Sequence, residues 1–85
     1  MSDTEYKHLF GKALDAKRGG RDAWSVLSTG EKLAVALVLN QAEWLTSLNY
    51  TLAEAIGRVG PEWLALIPRV ERDLRDLIDV ETSTN

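Results

Sequence analysis

The sequence predicts an all-α domain, a compact orthogonal bundle of four to six short helices, and three observations carry that reading. Apolar residues recur at spacings of three and four over most of the chain, the period that gathers side chains on one face of a helix. Serine or threonine stands three residues before glutamate at Ser2/Glu5, Ser28/Glu31 and Thr51/Glu54. That is the reciprocal capping pattern that satisfies the unpaired N–H groups at a helix start. The stretches between these segments are short and marked by Gly19-Gly20, Asn40, Asn49 and Gly60-Pro61, with no low-complexity linker. A chain of 85 residues makes one domain, expected over 1–81 with 82–85 as a frayed tail.

The first helix follows the Ser2/Glu5 cap and gathers Tyr6, Leu9, Phe10, Ala13 and Leu14 on one face. Lys17, Arg18 and Gly19-Gly20 are expected to end it, because cations suit the negative end of the helix dipole and glycine suits a left-handed closing residue. Arg21 to Leu27 reads as one or two further turns, with Trp24 and Leu27 on one side. The next helix opens at Ser28/Glu31 and continues as Leu33-Ala34-Val35-Ala36-Leu37-Val38-Leu39, apolar all round. Such a run fits a buried strand by periodicity alone, but the cap before it and the helical patterns on either side make it the central helix. Asn40 breaks it. Gln41 to Leu48 is a short amphipathic helix carrying Ala42, Trp44, Leu45 and Leu48, closed by Asn49. Thr51/Glu54 opens Leu52 to Val59, with Leu52, Ala55, Ile56 and Val59 expected inward. The last helix starts at Pro61 and places Trp63, Ile67, Val70, Leu74 and Leu77 on one seam, with a kink or fresh start expected near Pro68.

Composition narrows the function classes. A net charge of −3 argues against a general nucleic-acid binder, whose phosphate contacts need a basic surplus. With no cysteine there is no disulfide, thiolate metal site or cysteine nucleophile. The acidic N-terminus is not a secretory signal, and the run from Leu33 to Leu39 falls far short of the ~20 apolar residues that span a bilayer, so the cytoplasm is the expected compartment.

Each motif that suggests chemistry has a plainer structural account. Glu5 and His8 match the Glu-x-x-His pattern of di-iron bundles, but that chemistry needs a second such histidine and His8 stands alone, which leaves a surface histidine. Asn49-Tyr50-Thr51 is formally a glycosylation sequon and is better read as a helix–helix turn. Thr29-Gly30-Glu31-Lys32 matches a zinc-finger linker with no cysteine for a finger to join. The segment 41–59 invites a helix-turn-helix reading, yet no cation occurs from Leu33 to Gly57 and Arg58 would be the lone arginine of its recognition helix. Lys7, Lys12, Lys17, Arg18 and Arg21 alternate with carboxylates and read as a solvated face. The seam of the last helix is too short for a free coiled coil and packs on its own bundle.

Three tryptophans are more than such a chain needs. Tryptophan fills cores and also anchors binding hot spots. An exposed member of Trp24, Trp44 and Trp63, with Tyr50 and Arg58 nearby, would mark a partner site. The reading that follows is a non-catalytic helical domain that binds an unidentified protein partner or associates with itself. It is expected to need no metal and no cofactor, and neither nucleic acid nor membrane is an expected partner. The alternatives are a small helix-turn-helix-like DNA-binding regulator using residues 41–59, and a small-molecule enzyme, for which His8 and scattered carboxylates are all the sequence offers.

Overall fold

Capping chemistry fixes where two of the helices begin. The computed structural model describes residues 3–82, and the side chains of residues 4–81. Five helices follow in order among these residues: α1 Asp3–Ser25, α2 Thr29–Val38, α3 Ala42–Ser47, α4 Leu52–Val59 and α5 Pro61–Thr82. Ahead of α2, the Ser28 hydroxyl accepts the Glu31 N–H at 3.3 Å and the Ser28 N–H donates to the Glu31 carboxylate at 3.0 Å. Thr51 and Glu54 repeat the exchange ahead of α4, at 3.0 and 2.9 Å. Asn40 (φ 56°) and Asn49 (φ 62°) take the left-handed conformation on either side of α3. Asparagine tolerates that conformation better than other side chains do. The cap expected at Ser2, and the tail beyond Thr82, lie outside the described residues.

Two helices are longer than the sequence suggests. Gly20 is the break expected after the first helix, with φ 71° and ψ −158°, a region open to glycine alone. The interruption lasts one residue, and helical structure resumes to Ser25, so the two expected segments form one bent α1. Pro68 does not restart α5 either: the helix is continuous from Pro61 to Thr82. Proline removes one ladder hydrogen bond there. Pro68 is exposed, while Leu66, Ile67 and Val70 beside it pack into the core and hold the helix across the gap.

The apolar run of α2 is the centre of the bundle, and α2 is in contact with each of the other four helices. Leu33, Ala34, Val35, Ala36 and Val38 are all buried. On one side of α2, Ala34, Val35 and Val38 meet Leu9, Ala13, Ala16 and Trp24 of α1 and Val70 and Leu74 of α5. On the other side, Leu33 and Ala36 meet Leu45 of α3 and Ala55 of α4. No charged or polar residue is buried among those described. Polar ties between side chains across the bundle therefore sit at its edge. The Tyr6 hydroxyl donates to Asp73, and Arg69 lies over the Tyr6 ring, 4.2 Å from its centroid. Burial and then the Asp73 hydrogen bond push the Tyr6 phenol up, and the same bond holds Asp73 below the usual carboxylate range. No described helix is long and apolar enough to cross a membrane.

Candidate functional site

Helix α4 rests on the bundle by its small residue. Ala55 is fully buried and Val59 half-buried, whereas Leu52 is 57% exposed and Ile56 45% exposed. This corrects the expectation that all four point inward. The contact with α2 and α3 is made at Ala55, whose short side chain lets the helices approach; the longer Leu52 and Ile56 sit on the shoulder beyond it. The sequence pattern shows an apolar stripe wider than the surface available to cover it.

The outward half of α4 is ordered into rows by the four-residue repeat of the helix. Leu52 and Ile56 form a row of large apolar groups. Ala53 and Gly57, both exposed, form a row of small ones, and a Cβ added at Gly57 would meet no atom within 4 Å. Glu54 and Arg58, exposed, form a charged row. The Thr51 N–H engages one carboxylate oxygen of Glu54, which leaves the other facing solvent.

At its C-terminal end α4 runs into a cleft of about 700 Å³ where α1, α2, α4 and α5 converge. Its walls include His8, Glu31, Arg58, Val59, Pro61 and Trp63. His8 Nε2 and Glu31 Oε2 are 2.6 Å apart, and the His8 ring centroid lies 5.9 Å from that of Trp63. The Ser28 N–H, and after it the His8 ring, hold the Glu31 carboxyl below the usual carboxylate range. An ionised carboxylate only accepts hydrogen bonds, so Nε2 is the protonated ring nitrogen in this contact. Glu31 thus caps α2 with one oxygen and ties α1 to α2 with the other. His8 is the surface histidine its sequence setting suggests, and it makes its contact with Glu31 of another helix.

The five residues singled out from the sequence divide between this cleft and the core. Arg58 and Trp63 share the cleft. Trp24 is buried, with its indole N–H donating to the Lys32 carbonyl at 2.9 Å and its ring 4.9 Å from that of Trp44. Arg21 and Lys32 flank the Trp24 ring at 5.8 and 5.5 Å. Trp44 is half-buried against both halves of the core, and Tyr50 is half-buried against Leu33, Leu45 and Ala55. All three tryptophans are thus at least half covered, and the exposed large apolar groups are the aliphatic Val26, Leu52, Ile56 and Val80, of which Leu52 and Ile56 are expected inward from the sequence.

A second groove of about 560 Å³ lies between α1, the end of α2 and α5; Leu37, Leu39, Leu74 and Ile78 line it, with Lys17 and Arg75 among the charged groups at its rim. Among the described residues no group of three or more histidine, aspartate or glutamate side chains is placed to hold a metal ion. Comparison with protein-family models, with curated proteins and with solved structures finds no match to this chain.

Proposed function

We propose that this protein is a non-catalytic helical domain of the cytoplasm that works by binding another protein or a second copy of itself, through the outward face of α4. The observation that carries the reading is the exposure of Leu52 and Ile56 on a well-capped helix, in line with Val59 at the wall of the Trp63 cleft. Adjacent apolar groups left in water on a small domain are a common mark of an interaction surface. The same face weighs against a DNA reader. Although a short turn at Asn49 joins α3 to α4, Arg58 is the one cation of α4, and its exposed rows are otherwise apolar, small or acidic.

Photo-crosslinking tests the proposal in living cells. A benzophenone amino acid replaces Leu52, and in a control chain replaces exposed Arg72 on α5. The expected result is a discrete protein adduct from position 52 that position 72 does not give. If position 52 forms no adduct with any protein, the interaction reading is lost.

A further inference from the structure

We infer that the partner of α4 is α4 of a second copy, packed antiparallel about a two-fold axis. The inference rests on the interaction reading above and narrows it to one occupant. The argument comes from the three rows of exposed residues. A two-fold axis perpendicular to an antiparallel helix pair brings each edge of the helix against the same edge of its copy, reversed. A row of two residues therefore meets itself head to tail.

Each of the three rows suits that arrangement. The small row lies in the middle, where Ala53 faces Gly57 of the second copy and lets the backbones approach closely. On one side Leu52 faces Ile56, and burial of these four side chains removes the apolar groups that the monomer leaves in water. On the other side Glu54 faces Arg58, which gives two reciprocal ion pairs. The centres of the three rows differ by one residue each, so their pairings are staggered by about 3 Å, within the reach of these side chains. In a parallel two-fold pair each edge instead meets the opposite edge of the copy, so the Glu54/Arg58 row would lie against the apolar Leu52/Ile56 row with its charges unpaired. Charge thus selects the antiparallel sense.

Size sets the strength. An eight-residue helix is about 12 Å long, so its face buries well under the roughly 800 Å² per partner of a standard stable interface. The dimer is a weak one, with Kd on the order of 0.1 mM.

Sedimentation equilibrium from 10 µM to 1 mM, on the whole chain and on three variants, tests the inference. Gly57→Gln places a long side chain where the backbones would meet; glutamine is the better helix former, so the thermal midpoint rises or holds while Kd is expected to rise at least 10-fold. Ile56→Glu removes an apolar contact and sets like charges across the axis, and it is expected to abolish the dimer. Arg58→Glu places acid opposite Glu54, with a several-fold rise in Kd that shrinks as salt is added. A wild-type chain that stays monomeric to 1 mM overturns the self-pairing. So does a dimer that all three variants leave unchanged, because it then forms elsewhere. A monomer whose position 52 still crosslinks to a different protein removes the self-pairing and leaves the interaction reading standing. A monomer with no adduct removes both.

Discussion

Trp24→Phe tests how the bent end of α1 is held to the centre of the bundle. The tryptophan lies just beyond the Gly20 break, and its indole N–H reaches the Lys32 carbonyl of α2 at 2.9 Å. Phenylalanine keeps an aromatic ring in the buried site against Trp44 but loses that hydrogen bond, worth about 1 kcal/mol net. It also gives up roughly 40 Å² of buried apolar surface, about 1 kcal/mol more at 25 cal/mol per Å². The sum is about 2 kcal/mol. A chain of 85 residues has a total stability of roughly 4–13 kcal/mol, so the loss is a sizeable share of it. The midpoint of thermal unfolding should fall by about 8–16 °C. Urea unfolding followed by far-UV circular dichroism measures the change without relying on tryptophan fluorescence, which the substitution itself alters. Trp44→Phe is the control: the residue is half-buried, and the same change there should cost about 1 kcal/mol or less. If Trp24→Phe costs no more than Trp44→Phe, the indole is not what fastens the end of α1 to α2.

Two further predictions concern the bend in α1 and the cap of α2. Gly20→Ala should destabilise by about 1–2 kcal/mol, because φ 71° with ψ −158° is strained for any residue with a Cβ; chemical denaturation measures it, and a neutral or stabilising alanine would contradict the bend at that position. Glu31 has its pKa lowered in the fold, so its ionic contribution is present above the usual carboxylate pKa of about 4.3 and is lost as the pH falls through the lower folded value. Glu31→Gln keeps a side-chain acceptor for Ser28 but not the charge. The stability gap between wild type and this variant should therefore be present at pH 6 and shrink as the pH is lowered below the usual carboxylate range, and a gap independent of pH would show that the charge plays no part.

Local chemistry was legible in the sequence wherever it is local in the structure. The Ser28/Glu31 and Thr51/Glu54 caps, the left-handed Asn40 and Asn49, and Pro61 at the first position of α5 each depend on residues within one turn of each other. The central place of α2 was legible because an all-apolar helix has no face to give to water. Contacts between distant segments were not. His8 meets Glu31 from 23 positions away, and Tyr6 meets Asp73 from 67. Periodicity assigns Leu52 and Ile56 to a buried face, since it reports which residues share a side of the helix but not how much of that side has a neighbour. Of the two outcomes expected at Pro68, a kink or a fresh start, the continuous α5 excludes the fresh start for a related reason. A proline interrupts the helix ladder, yet the packing of Ile67, Val70 and Leu74 decides whether the helix survives the lost bond. Arg58 and Trp63 stand out separately in the sequence, and the cleft that joins them exists only once α1 and α2 close over it.

The outward face of α4 is the proposed surface at which this protein meets a second copy of itself. The most direct measurement is a dilution series of ¹⁵N-labelled protein from 1 mM to 20 µM, with every backbone amide followed by NMR. Pairing through α4 gives shifts that follow one binding curve and cluster on residues 51–60, while the amides of α1 and the second half of α5 stay still. Shifts that cluster on the groove between α1 and α5, or spectra that do not change with concentration, would contradict it.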